Sequence, residues 1–184
     1  MVNLPDAPAP PLPGTVLITG ANGFIARALA TRLRERGVVV RGVDLVASPG
    51  DGVVAGNTVN PGPWAGQLAG VDAVIHTAAL VSNAAPLEKA WEVNVLGTQR
   101  VLRAAVAAGV PRFVHISSIA AYGFDFPDGV SESDTVRVSG YSYVDTKVNS
   151  EHVVLAAHAA GEIAATIIRP GDVWGPGSRP WTIL

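Results

Sequence analysis

Thr15-Val16-Leu17-Ile18-Thr19-Gly20-Ala21-Asn22-Gly23-Phe24-Ile25-Ala26 is the stretch that decides the fold. Residues 15–19 are short, β-branched and bounded by glycine, the pattern of a buried strand. After Gly23 the period changes. Ile25, Leu29 and Leu33 recur every fourth residue, with Arg32, Arg34, Glu35 and Arg36 opposite, and Gly37 closes this helix. The junction reads G-x-x-G-x-x-A. Glycine there lets backbone approach a pyrophosphate, and the helix N-terminus offers free N–H groups and a partial positive charge. Gly20, Asn22, Gly23, Phe24 and Ile25 are therefore candidate cofactor contacts.

Outward from this unit the alternation continues. Val38–Asp44 reads as a second strand, Val53–Ala55 as a short one, and Trp64–Ala69 as a short helix. Ala73–Thr77 is a buried-type strand, followed by a long helix, Leu87–Ala108, stopped by Gly109 and Pro111. Arg112–Ser117 is a strand, 123–139 a polar loop, Tyr141–Ala160 a second long helix, and Ala164–Arg169 a last strand. Strands alternating with helices imply a parallel sheet with helices on both faces. Residues 1–13 carry five prolines and read as a disordered tail, which leaves 14–184 as one domain. The closing RPWTIL has no capping signal and reads as a cut.

Composition narrows the function classes. The 184 residues are 48% hydrophobic and 15% charged, with a net charge of −2, which excludes disorder for the bulk and gives no basic surface for nucleic acid. No cysteine is present, so there is no disulfide frame, thiolate metal site or cysteine nucleophile. No apolar run reaches the roughly 18 residues of a membrane span, and the N-terminus has no signal-peptide pattern, so a cytoplasmic protein is expected. His76, His115, His152 and His158 lack a metal-ligand spacing, and no metal is expected. Asp125, Asp128, Glu132 and Asp134 lack the spacing of a calcium loop and read as a solvated loop near the substrate. No G-x-S-x-G is present.

Two features carry chemistry. Asp44 ends the second strand, where its carboxylate would accept from a ribose 2′-hydroxyl and repel a 2′-phosphate, favouring NAD over NADP. Arg41 lies three residues earlier, on the opposite face of an alternating strand. The second is Tyr143-Val144-Asp145-Thr146-Lys147. Residues i and i+4 share a helix face, and an ammonium one turn away lowers a phenol pKa from near 10, making the tyrosine a usable acid/base. Ser117 and Ser118 end a strand, where ligands of parallel α/β sheets bind.

TGANGFIA (19–26), HTAA (76–79), NVLGT (94–98), HISSIAAYG (115–123), YVDTK (143–147) and RPGDVWGPG (169–177) resemble, in order and spacing, the extended short-chain dehydrogenase/reductases, and within them the NAD-dependent epimerase/dehydratase family. The resemblance runs from about Thr15 to Gly177. It implies a Rossmann-type doubly wound sheet with bound NAD. Tyr143 then resembles the catalytic acid/base, Lys147 the lysine that holds the nicotinamide ribose, and Ser118 the substrate-binding Ser/Thr. Asn94 matches the asparagine that shapes the active-site helix. Ala78, Ala79, Pro170 and Val173 fall on cofactor-lining positions.

Departures modify this picture. The family's Gly-Asp-x-x-Asp stretch reads Gly56-Asn57-Thr58-Val59-Asn60 here, leaving Asn57 to meet the adenine. Ile119 and Ala120 replace the acidic pair of sugar-nucleotide dehydratases, which demotes water elimination. The family's substrate lobe lies largely beyond the R-P-x-x-V-x-G-P motif, where only Ser178–Leu184 remain. The expectation is an NAD-dependent oxidoreductase acting on a secondary alcohol or ketone. The alternatives are a sugar-nucleotide (UDP-glucose type) 4-epimerase with tightly bound NAD, or a non-catalytic NAD sensor. The partner is a small molecule, a hydroxy/keto compound or nucleotide-sugar, with no nucleic acid and no membrane. The helices 87–108 and 141–160 are apolar on more than one face, which suggests a homodimer.

Overall fold

The computed structural model describes residues 11–178 except 83 and 127. Most of the proline-rich tail and all of RPWTIL therefore lie outside the described residues. Six strands form one sheet: β1 (Thr15–Thr19), β2 (Val39–Asp44), β3 (Val53–Ala55), β4 (Ala73–His76), β5 (Arg112–Ile116) and β6 (Ala164–Ile168). Their order is β3-β2-β1-β4-β5-β6 and every pairing is parallel. This is the Rossmann order, whose reversal between β1 and β4 opens a crevice at the strands' carboxyl ends.

Strand alternation sorts the core into two layers. Val16 and Ile18 stand beside Ala73 and Ile75 and pack on α1 (Phe24–Glu35) through Ala26 and Ala30. Leu17, Val74 and Phe113 point the other way, onto Val101, Leu102, Ala105, Val154 and Ala157. Those residues belong to α3 (Gly97–Ala107) and α4 (Ser142–Ala159), with α2 (Leu87–Trp91) preceding α3. Helices thus flank both faces, as expected. On α1 the fully buried residues are Ala26 and Ala30; Ile25, Leu29 and Leu33 are half-buried, because only small side chains fit the closest helix–sheet approach.

Two expected elements differ in detail. The helix over 64–69 is a 3₁₀ segment, Gly62–Leu68, that buries Trp64 and Leu68. The long helix over 87–108 contains a π turn, Glu92–Leu96, between α2 and α3. Such insertions recur near functional sites, and this one carries Asn94. The second apolar face of the two long helices is real. Val154 and Ala157 are buried, whereas Leu87, Trp91 and Leu155 are exposed.

Candidate active site at the carboxyl ends of the strands

The phosphate loop is built by its neighbours. Gly20 has φ +69, and a Cβ there would stand 2.8 Å from both the Cα and the N of Ala78. This places Ala78, with Ala79 beside it, against the loop. The Gly20 N–H donates to Val43 O at 2.8 Å, and the Asn22 N–H donates to the Asp44 carboxylate at 2.9 Å. Gly23 is the N-cap of α1, with no side chain capping it and no acidic residue in the first turn. An uncapped helix start facing a glycine turn is a seat for an anion, so these residues fit a dinucleotide pyrophosphate.

Asp44 therefore braces the loop at the end of β2, where a ribose would reach it. Arg41 is turned away: its guanidinium donates to the carbonyls of Gln67 and Ala69 at 2.7 and 2.8 Å. Asn57 is exposed, and its Oδ1 accepts from the Val59 N–H at 2.9 Å. Asn57 thus spends its carbonyl oxygen on its own turn. Phe24 and Gly175 approach one another across the mouth, at 3.5 Å from the Phe24 ring to a Cβ built on Gly175. The segment after β6 is tied back by Ile119 N–H donating to Pro170 O and by the Ser178 hydroxyl donating to Val173 O.

Tyr143, Lys147 and Ser118 lie near one another in the fold. Ser118 lies close enough to the Tyr143 phenol to draw its pKa down, and its Oγ accepts from the Ala120 N–H at 3.1 Å, capping a 3₁₀ turn, Ile119–Tyr122. The Lys147 ammonium lies 5.8 Å from the Tyr143 ring centroid and donates to Ile116 O at 2.8 Å. One expectation needs correcting. The phenol pKa is raised, not lowered. Burial pushes it up, Ser118 pulls it partly back, and Lys147, engaged with a strand carbonyl beyond the ring, is not what sets it. Burial also brings Lys147 down to about 8, against an opposing pull from Glu151.

Asn94 is buried in the π turn. Its amide accepts from Leu80 N–H at 2.7 Å and donates to Leu80 O at 3.1 Å and Thr146 Oγ1 at 3.0 Å. It clamps the loop after β4 to the helix that carries Tyr143 and Lys147. Its side-chain oxygen and nitrogen are thereby engaged with protein partners.

Beneath the site run two buried histidines whose tautomers follow from their partners. The Thr98 hydroxyl donates to Asn94 O at 2.6 Å, so it can only accept from His76 Nε2 at 2.9 Å. His76 Nδ1 then accepts from the Thr19 hydroxyl at 2.7 Å. Likewise the Ser150 hydroxyl donates to Lys147 O, so His115 donates to Ser150 from Nε2. Both rings are neutral. Burial, helped by the Lys147 charge, lowers His76 from 6.5 to about 3 and His115 well below its usual value. Unfolded histidines would take up protons that the folded ones refuse. Their stabilisation is complete above pH 6.5 and is lost as the pH falls toward the depressed values. The melting temperature should already drop between pH 6.5 and about pH 5, above the carboxylate range; a flat calorimetric profile there would contradict this assignment.

A buried ion pair went unread in the sequence. Glu151, fully buried, receives Arg169 Nε at 2.9 Å and Nη2 at 2.7 Å. Arg169 Nη1 also donates to the Tyr122 hydroxyl, which donates to Ser131 O at 2.7 Å. No local spacing points to it, since Glu151 and Arg169 stand 18 residues apart, one on α4 and one after β6. Among the described residues no cluster of His, Cys, Asp or Glu could hold a metal, and no helix is long and apolar enough to cross a membrane.

Comparison with known proteins bears on this geometry. The model of the NAD dependent epimerase/dehydratase family matches residues 16–182. A 3-beta-hydroxysteroid dehydrogenase of Mycolicibacterium neoaurum is 34% identical over 180 residues, covering 90% of this chain and 49% of that protein. A short-chain dehydrogenase/reductase superfamily protein from Agrobacterium tumefaciens, solved with bound NAD, is 36% identical with a TM-score of 0.76, covering 84% of this chain and 48% of its own. A Thermus thermophilus UDP-glucose 4-epimerase in complex with NAD is 26% identical with a TM-score of 0.81, over 90% of this chain and 58% of its own. The chain spans about half the length of the curated relatives it matches. With the Rossmann strand order, the glycine turn and a family match over nearly the whole described chain in agreement, the chain belongs to the NAD-dependent epimerase/dehydratase family.

Proposed function

We propose that this chain carries the cofactor-binding fold of an NAD-dependent oxidoreductase that interconverts a secondary alcohol and a ketone. The observation that carries the reading is the convergence of Ser118, Tyr143 and Lys147 beside the dinucleotide loop. When bound, NAD supplies the acceptor for the hydride. Ser118 orients the substrate oxygen, and the ionised Tyr143 takes the hydroxyl proton as the C–H electron pair leaves as hydride. Lys147 holds the nicotinamide ribose. Asp44 selects NAD, and Gly20, Gly23, Phe24 and Ile25 seat the pyrophosphate, with Asn22, Asn57, Ala78, Ala79, Pro170 and Val173 around the cofactor.

The loop over 123–139 supports an uncharged, apolar substrate. Phe124 and Phe126 are exposed there, and Phe124 meets the exposed Tyr141, which precedes α4, edge-on at 5.3 Å between centroids. Asp125, Asp128, Glu132 and Asp134 outnumber Arg137, so a sugar-nucleotide diphosphate would meet repulsion on this side. The exposed Leu87, Trp91 and Leu155 support pairing of two copies along α2, α3 and α4.

The second reading, a UDP-sugar 4-epimerase, is favoured by the Thermus neighbour. One assay separates them. With a hydrophobic secondary alcohol, the enzyme should accumulate NADH from NAD and far less NADPH from NADP. Conversion of a UDP-sugar with no net NADH would replace the first reading with the second, and a preference for NADP would overturn the role of Asp44.

A further inference from the structure

Burying a lysine ammonium is costly, and Lys147 is 4% exposed, with its ammonium donating to the Ile116 carbonyl. Something has to keep it charged. The groups around it are few. On α4 stand Tyr143 and Glu151; from β4 and β5 come His76 and His115, both neutral by their hydrogen bonds. From the end of β6 comes Arg169, on the far side of Glu151. The charges of the neighbouring helices lie at the surface, Lys89 paired with Glu92 and Arg103 with Glu162. Asp145, at the start of α4, is taken up by the N–H groups of Ser139 and Gly140. Glu151 is thus the buried anion of this neighbourhood.

We propose that Glu151 is the positioning residue that keeps Lys147 a cation in its buried seat, and that Arg169 holds Glu151 for that task. The geometry is asymmetric in a way that favours it. The Glu151 side chain is 0% exposed, while that of Arg169 is 17% exposed and borders solvent. Solvent screens the guanidinium more than the dry carboxylate, so the field one helical turn back, at Lys147, is that of an anion. Arg169 grips the carboxylate from two nitrogens, and its Cζ lies over the Tyr122 ring, 4.8 Å from the centroid. The Tyr122 hydroxyl extends the chain to Ser131 in the loop over 123–139. The ordinary alternative is that Glu151 merely neutralises Arg169 and leaves Lys147 untouched. This proposal rests on the reading of Tyr143 and Lys147 as the reacting pair only for its catalytic meaning, not for its test.

The chain has only two lysines, Lys89 and Lys147, so ¹³C-lysine labelling gives two Cε signals to titrate by NMR, with Lys147 assigned through Lys147→Arg. In the wild type the Lys147 midpoint should lie near 8. Glu151→Gln should lower it by about one unit or more, as expected for loss of an opposite charge nearby. Glu151→Asp, which keeps the charge, should restore it, and Tyr122→Phe should leave it where the wild type has it. A Glu151→Gln midpoint equal to wild type overturns the proposal, as does a Tyr122→Phe midpoint that falls equally far. Should Glu151→Gln fail to fold, Arg169→Gln decides: removing the guanidinium that partly neutralises Glu151 should raise the Lys147 midpoint, and a midpoint that does not rise overturns the proposal. No substrate or NAD enters these titrations. An enzyme that fails the NADH assay therefore refutes the functional reading and leaves this one standing.

Discussion

Tyr143→Phe should abolish turnover while leaving NAD binding nearly intact. The substitution removes one oxygen and keeps the ring that lies beside Lys147, so the helix and the pocket wall stay in place. What is lost is the proton acceptor. General acid/base groups contribute roughly 10²–10⁴-fold to rate, and kcat should fall by that much, with the NAD dissociation constant changing little. The pH profile gives a sharper reading. Burial raises the phenol pKa, and alcohol oxidation needs the phenolate, so wild-type oxidation should climb as the pH rises toward that raised value. Ketone reduction needs the phenol and should fall over the same range. Both trends should vanish in the variant's residual rate. Undiminished kcat in Tyr143→Phe would remove the tyrosine from the mechanism.

Gly20→Ala should unfold the dinucleotide loop where Gly37→Ala only strains a turn. Both glycines have positive φ, +69 and +81, and each alanine incurs about 1–2 kcal/mol for that backbone. At Gly37 nothing lies within 4 Å of the new methyl group. At Gly20 the methyl would meet the backbone of Ala78 at 2.8 Å, and β4 cannot retreat without breaking its pairing with β1. Overpacking adds about 1–3 kcal/mol. Gly20→Ala should therefore lose about 2–5 kcal/mol in urea titrations, together with measurable NAD binding. Equal losses for the two variants would mean that the Ala78 contact gives way easily.

The local elements were legible because each is written in consecutive residues. β1 is an unbroken apolar run, α1 has a helical period, and glycine marks the ends of α1, α3 and α4. The glycine turn and the Tyr143–Lys147 spacing follow from backbone geometry alone, since i and i+4 must share a helix face. The π turn was not legible. It carries Asn94, which reaches both edges of Leu80 and also Thr146, partners brought close by the sheet and not by the sequence.

The sequence by itself determined the strand–helix alternation, the glycine turn between β1 and α1 and the shared helix face of Tyr143 and Lys147. Local propensity and side-chain period need no partner to be read. Only the tertiary structure decided the charge states. Whether burial or Lys147 governs the Tyr143 phenol, which tautomers His76 and His115 adopt, and which anion stands behind Lys147 depend on solvent exclusion and on groups distant in the chain. Glu151 and Arg169 are 18 residues apart, and Asn94 and Thr146 are 52 apart. Coulomb and desolvation energies are set by distances in space, and those distances exist only once the sheet has brought its helices together.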